Sequence, residues 1–390
     1  MLRGWRTDMM HNSTLPRMLA LAQSAAGLAV ASKLLRAARR RIIPATTKTH
    51  DAGVTVIVPV LNEQARLSLC LEGAIQQGPS VTEILVIDGG STDRTRELVA
   101  AYAARDRRVR LVDAAPIPQG WNGKAWGLEQ GWRASNPHNQ WILCLDADVY
   151  PAANLTDALV TFALAEHVAV LSVATQQVLP ADPLAGLLHP AFLTTLIYRL
   201  GPPGSSTTNW VEAQANGQCM LIHRNVLEIL GGFTPVAHSR CEDVTFARLA
   251  AQHGIAVGFF ETAGLISARM HRNGNDVWHN WPRSLTLRDT LSGWRVWRDL
   301  LVVTLTQAVP LPLLLSLRFC QKRPSALTLV NGILLAIRLG TLWGARSAYQ
   351  TRPWTYWLSP LCDPVVTGRL WQSALQRKHL WRGRILEGSV

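Results

Sequence analysis

The chain has 390 residues and a 48% hydrophobic composition, enough for one large domain or two with a sizeable core. Its formal net charge of +13 is unevenly placed: residues 1–50 carry +8 and residues 318–390 carry +9, whereas residues 51–317 carry −4. A nucleic-acid enzyme makes its working domain basic, so that class is excluded, and the basic flanks point to an anionic membrane surface. Six cysteines (Cys70, Cys144, Cys219, Cys241, Cys320, Cys362) form no CxxC pair and no Cys/His cluster of zinc spacing, which reads as free thiols in a reducing compartment.

Met18 to Leu35 is a modestly apolar stretch ending among Lys33, Arg36, Arg39, Arg40 and Arg41. With Gln23, Ser24 and Ser32 inside it and no clear cleavage site after it, it reads as an anchor or an interfacial helix. If it spans, the arginine cluster keeps the following chain in the cytoplasm. Val54 to Val60 is a continuous, largely β-branched run, typical of a strand covered on both faces. Asn62 and Glu63 then open a helical stretch, and Glu83 to Asp88 is a second strand with Asp88 at its carboxyl end. Gly89 to Asp93 makes a tight turn whose Ser91, Thr92 and Asp93 can cap a helix beginning near Arg94.

Trp141 to Leu145 is a buried strand ending in Asp146-Ala147-Asp148, closed off by Pro151. Alternation along an extended chain points Asp146 and Asp148 to one side, where they can share a divalent ion. Hard oxygen ligands favour Mg2+ or Mn2+, which can also bridge the phosphates of a nucleotide-activated donor. An isolated Asp-X-Asp is more often a surface turn, so its weight comes from its company. Ligands of open α/β sheets bind beyond the carboxyl ends of the strands, so Glu63, Asp88, Asp93, Asp146 and Asp148 are expected to converge on one crevice. In Gln119 to Trp126, Lys124 follows flexible Gly123 and can reach a diphosphate as a point charge, while Trp121 or Trp126 can wall the donor or the acceptor. The alternative is a surface loop with a solvated lysine.

Val-Pro-Val-Leu-Asn-Glu (58–63), Asp-Gly-Gly-Ser-Thr-Asp (88–93) and Asp-Ala-Asp (146–148), in this order and near these spacings, resemble the family 2 glycosyltransferases of the GT-A fold. The resemblance implies an α/β fold with a mixed, mainly parallel sheet between helices. It further implies a nucleotide over Pro59, Glu63, Asp88 and Asp93, a metal on Asp146 and Asp148, and Asp146 and Lys124 beside the donor diphosphate. Ala215 to Ile222 is similar to the family's second strand block and Gly231-Gly232-Phe233 to the turn after it. Cys241-Glu242-Asp243-Val244-Thr245 then opens an amphipathic helix with Phe246, Leu249 and Ala250 on its apolar side. An inverting transfer needs a base for the acceptor hydroxyl proton, and the resemblance makes that base Asp243, with Glu242 a helper or a cap. An aspartate at a helix start is otherwise commonly just a cap.

The Gln-X-X-Arg-Trp motif of processive polysaccharide synthases is missing after Ala268, which argues for a single transfer to a discrete acceptor. The blocks 189–204, 215–224, 242–248 and 269–288, with the Gly-Trp-X-Gly-Lys-X-Trp segment, resemble carotenoid 2′-O-glycosyltransferases of the myxol type over residues 54–300. That implies a hydroxylated carotenoid acceptor taken from the membrane. Hopanoid-associated glycosyltransferases are the nearest alternative, and sugar transfer to a polyprenyl phosphate is another. A catalytically silent membrane scaffold is the alternative outside enzymes.

His189 to Gly204 is apolar and Pro-bounded, either an interfacial helix beside a lipid acceptor or ordinary core. Leu300 to Leu317 has no charge and is interrupted by Pro310 and Pro312, a kinked span, with Trp294 and Trp297 where a headgroup belt would sit. Ser325 to Ile337 is a second apolar run, too short to span unless Arg338 snorkels. A hairpin starting in the cytoplasm puts Arg318, Lys322 and Arg323 outside, against the positive-inside bias, and a half-inserted hairpin removes the conflict. Trp354 to Trp357 and Arg377 to Arg384 mix Trp with Arg like an interfacial segment. The expected organisation is a basic N-terminal anchor or interfacial helix (1–50), a GT-A catalytic domain facing the cytoplasm (51–298) and a membrane-associated helical region (299–390).

Overall fold

The computed structural model describes residues 14–36, 40–285, 293–320, 325–376, 378–381 and 384–387; Arg39, Arg288, Lys322, Arg323, Arg377, Arg382 and Gly383 lie outside them. The main sheet has nine strands. Its order is Ile42–Ile43, Val257–Thr262, Val170–Ala174, Cys219–His223, Trp141–Leu145, Val54–Val60, Val81–Asp88 and Val109–Asp113, with Ser205–Thr207 attached to Val257–Thr262. Val54–Val60 runs parallel to both its neighbours, and Cys219–His223 runs antiparallel to both of its own.

The strands are continuous apolar runs because both faces of the sheet are covered. Val56, Val58, Leu143 and Leu171 enter one core cluster with Leu67, Leu71 and Leu159, while Ile57, Leu85, Ile142 and Met220 enter the other with Leu128, Leu227 and Phe246. Each such fully buried side chain contributes roughly 1.5–3 kcal/mol relative to exposure. The helix expected from Asn62 starts only at Leu67. The reason is a contact across the fold: Asn62 sits at φ +57°, and its Oδ1 accepts the N–H groups of Thr92 and Asp93 at 2.8 and 3.3 Å. Residues 62–64 are thereby tied to the turn before the helix Thr95–Arg105.

A second sheet of four strands, in the order Tyr349–Thr351, Gln176–Val178, Ile266–Ala268 and Val149–Pro151, lies beside the Asp-Ala-Asp turn. Its outer strand comes from the C-terminal region, so that region is joined to the sheet domain by backbone hydrogen bonds. The helix Pro183–Leu200 packs on Trp354–Cys362 and on Asp363–Leu375.

Among the described residues three helices are long and apolar enough to cross a membrane: Thr14–Arg36, Gly293–Arg318 and Ala326–Ala348. The first and third pack together although about 300 residues separate them in sequence. Gln23 Nε2 donates to Asn331 Oδ1 at 2.8 Å, and Asn331 Nδ2 donates to Gln23 Oε1 at 2.9 Å. In the second, a π-helical stretch at Thr304–Ala308 precedes Pro310, which absorbs the proline's missing donor without ending the helix. Arg338 does not snorkel: its guanidinium is buried against Asp363, with Nε donating to Oδ2 at 2.8 Å and Nη2 to Oδ1 at 3.0 Å. Inside a helical layer this pairing satisfies a charge that would otherwise need water.

Candidate active site

The strand Trp141–Leu145 delivers Asp146 and Asp148 to its carboxyl end, as expected. Asp146 Oδ1 pairs with Lys124 Nζ at 2.7 Å. Lys124 is not a solvated arm. It leaves the first turn of the helix Gly123–Ala134, whose N-cap Asn122 accepts the Lys124 N–H at 3.0 Å and donates from Nδ2 to Ser239 O at 2.7 Å. From there its ammonium also meets Glu242 Oε1 at 3.0 Å and donates to Gly217 O at 3.1 Å. Asp243 closes the ring: Oδ2 accepts the Gly217 N–H at 2.5 Å and Oδ1 accepts the Val244 N–H at 2.8 Å. A Cβ on Gly217 would lie 2.6 Å from Lys124 Nζ and 3.1 Å from Asp243 Oδ2, so a side chain there would push Lys124 out of its present place.

The electrostatics follow from this packing. Burial alone would lower the Lys124 ammonium, but Asp146, Glu242 and Asp243 outweigh it and hold it well above its usual value. Burial pushes the Glu242 carboxyl up to about 7, with Lys124 opposing, and raises Asp243 in the same direction. Burial and then the neighbouring Asp146 push Asp148 up to about 7. Asp148 Oδ1 is buried with no hydrogen-bond partner among the described residues, and the Arg66 guanidinium stands 4.0 Å from Oδ2. Among the described residues no group of three or more His, Cys, Asp or Glu could hold a metal ion. The orphaned Asp148 oxygen beside Asp146 nevertheless fits one hard cation that takes its remaining ligands from phosphate and water, the usual habit of Mg2+.

The other acidic residues are placed differently. Glu63 is buried and accepts from Arg66 Nε at 2.8 Å. Asp88 is fully buried; Arg96 Nε donates to it at 2.5 Å and the Ser91 N–H at 3.0 Å. Asp93 accepts the Thr95 N–H at 3.0 Å and the Gln64 N–H at 3.2 Å. These three therefore find hydrogen-bond donors in the strand-end turns, and Pro59 packs behind them against Gly127. Trp121 and Trp126 contact each other edge-on at 5.0 Å, and the Trp126 indole donates to Ala114 O at 2.7 Å.

A cavity of about 1140 Å³ opens at the Lys124 ring. Arg66, Asp146, Asp148, Glu242 and Asp243 line one end; Glu63, Asp88, Asp93, Trp121 and Trp126 are not among its described lining residues. The lining continues through Leu193, Leu196 and Leu200 of the helix Pro183–Leu200 to Leu34, Ile337, Gly340 and Gly344 of the apolar helices. Much of the helix from Pro183 is core, and part of it walls the cavity. Sequence reasoning missed Arg66, Arg96, Asn122 and Gly217. Arg66, three residues after Glu63, and Gly217, before the strand Cys219–His223, were visible signals of an ion pair and of a close backbone approach.

The profile of the family described as Glycosyl transferase family 2 matches residues 55–230. Among curated proteins, the uncharacterized glycosyltransferase EpsJ of Bacillus subtilis is 34% identical over 62 residues, covering 16% of this chain and 18% of that protein. The 4,4'-diaponeurosporenoate glycosyltransferase of Staphylococcus aureus is 30% identical over 112 residues, covering 28% of each. The chain thus spans less than a third of the length of either relative. Among solved structures, mannosyltransferase PcManGT from Pyrobaculum calidifontis, in complex with GDP-Man and Mn2+, superposes with a TM-score of 0.54 at 20% identity over 90% of this chain and 99% of that one. Residues 55–230 thus match the family 2 glycosyl transferase profile, and the chain has a GT-A-like fold.

Proposed function

We propose that the protein is a membrane-bound, inverting, metal-dependent glycosyltransferase that moves a sugar from a nucleotide-sugar to a hydroxyl of a membrane lipid, with a carotenoid as the first candidate. The observation that carries this reading is the single cavity running from the Lys124–Asp146–Glu242–Asp243 ring to Leu34, Ile337, Gly340 and Gly344 on the apolar helices. A lipid can lie in the apolar end and present a hydroxyl to the charged end. The relative named for 4,4'-diaponeurosporenoate supports a carotenoid acceptor, and the Mn2+ and GDP-Man of PcManGT support a nucleotide-sugar with a divalent ion.

The nucleotide lies over the turns held by Pro59, Glu63, Asp88 and Asp93. Asp146 and Asp148 hold the Mg2+ or Mn2+, which when bound serves as a Lewis acid on the diphosphate. Lys124 adds fixed positive charge beside the leaving group and keeps Asp146 and Glu242 in place. Asp243, pinned by the Gly217 and Val244 N–H groups, retains free lone pairs toward the cavity and takes the acceptor proton. Glu242, held by Lys124, fixes that carboxylate's surroundings. The cytoplasmic side is the proposed location of this site, with Arg36, Arg40 and Arg41 at the inner end of the first helix.

The test is a pigment and lipid profile of the native host with and without the gene, by chromatography with mass spectrometry. Loss of a glycosylated carotenoid and build-up of its free hydroxyl form is the expected result. An unchanged carotenoid profile with altered hopanoids or lipid-linked sugars overturns the carotenoid acceptor.

A further inference from the structure

One buried group in the cavity has no part in the proposed chemistry. His189 is 1% exposed, yet it lines the cavity that holds Asp243. Its ring is fixed twice over: it stacks on the Trp281 indole at 4.1 Å between centroids and 27° between planes, and its Nδ1 lies 3.0 Å from the Tyr349 hydroxyl. Tyr349 is itself buried and placed by the pairing of Tyr349–Thr351 with Gln176–Val178. The other ring nitrogen, Nε2, is buried with no hydrogen-bond partner among the described residues. Burial keeps the imidazole well below its usual pKa, so it is neutral at pH 7.

A buried polar atom without a partner costs free energy unless something satisfies it. If the Tyr349 hydroxyl donates to Nδ1, the ring proton is on Nε2 and needs an acceptor; if Nδ1–H donates to Tyr349, Nε2 needs a donor. A hydroxyl group answers both cases. The lining there combines Leu193, Leu196, Met270, Trp281 and Leu285 with the His271 ring, whose centroid lies 5.7 Å from that of His189. An apolar stem with one oxygen is the matching ligand.

We propose that His189 is an acceptor-positioning residue whose Nε2 hydrogen-bonds a second oxygen of the lipid acceptor, remote from the hydroxyl that receives the sugar. The inference rests on the membrane-lipid reading above. The reacting hydroxyl belongs at Asp243, held by the Gly217 and Val244 N–H groups, and the oxygen assigned to His189 is a second one. Fixing a distal oxygen sets how deeply the lipid enters and so which hydroxyl reaches the base.

The experiment uses the full chain in nanodiscs and two probes, a carotenoid diol and the mono-ol of the same skeleton. Binding is read by quenching of protein tryptophan fluorescence and turnover by sugar transfer. Wild type is expected to bind the diol roughly tenfold more tightly than the mono-ol. His189→Leu abolishes that preference by weakening the diol alone, and His189→Gln, which restores a hydrogen-bonding group, recovers most of it. Equal weakening of both probes by His189→Leu, or an unchanged preference, overturns the proposal, because a packing role cannot distinguish the two. A diol preference that depends on His189 without transfer to either probe leaves the His189 inference standing and removes the carotenoid acceptor. No binding of either probe overturns both.

Discussion

Gly217 is where the charged ring is most exposed to a single change. Gly217→Ala places a methyl 2.6 Å from Lys124 Nζ and 3.1 Å from Asp243 Oδ2, and Lys124 can retreat only by leaving Asp146 and Glu242. Turnover should fall about 100-fold with the melting temperature little changed, as steady-state kinetics and a thermal melt would show. Protonation gives a second prediction. Because burial raises Asp243 and takes Glu242 to about 7, a base in this ring works only at higher pH than an ordinary carboxylate. The rate should climb with pH through that raised range and level off above it, and a flat profile down to about pH 5 would contradict the assignment. Stability runs the other way. Between about pH 4.3 and 7 the folded chain keeps a Glu242 proton that the unfolded chain has released, so this group's contribution to stability falls as pH rises. Donor-free melts should show that slope in wild type and a shallower one in Glu242→Gln, where Asp148 and Asp243, raised in the same sense, still contribute. Asp146, Asp148 and Asp243 were legible because their signals are local, an apolar run ending in Asp-X-Asp and a carboxylate pair opening a helix. The partners of Lys124 were not, because Gly217 and Glu242 are 93 and 118 residues away and meet it only through the sheet.

Among the elements, Val54–Val60 and Trp141–Leu145 were readable to their ends, since a strand buried on both faces must be apolar throughout. The late start of the helix Leu67–Ile75 was not, because Asn62 is held at positive φ by a turn 30 residues on. Nor was the pairing of Thr14–Arg36 with Ala326–Gly344 legible, as Gln23 and Asn331 each look like an isolated flaw in an apolar run. The buried Arg338–Asp363 pair gives an element-scale test. Arg338→Leu leaves Asp363 buried without its countercharge, with Gln307 Nε2 still donating to it, and unfolding should lose about 3–5 kcal/mol, most of it regained in Arg338→Leu/Asp363→Leu. The helix Ala326–Gly344 also carries the test of the lipid route. A side chain at Gly340 would meet nothing within 4 Å and would stand in the cavity, whereas Gly332, equally open, is not among the lining residues. Gly340→Trp should cut transfer to a lipid at least tenfold with the nucleotide affinity unchanged, and Gly332→Trp should not. Equal effects of the two would remove the route between the helices.

At the scale of the whole molecule, the sequence shows an acidic middle between basic flanks, the middle coinciding with most of the main sheet. What the flanks build was not legible, because the N-terminal helix and the C-terminal helices complete one another and Tyr349–Thr351 completes the smaller sheet. The measurement that tests the central claim most directly is nucleotide affinity and turnover of the full chain with Mn2+ and with EDTA, in wild type, Asp146→Ala and Asp243→Asn. The account predicts that EDTA and Asp146→Ala each weaken nucleotide binding by an order of magnitude or more and abolish turnover. Asp243→Asn should abolish turnover while binding the nucleotide as wild type does. Equal nucleotide affinity in wild type and Asp146→Ala would contradict the metal assignment, and substantial turnover by Asp243→Asn would contradict the base.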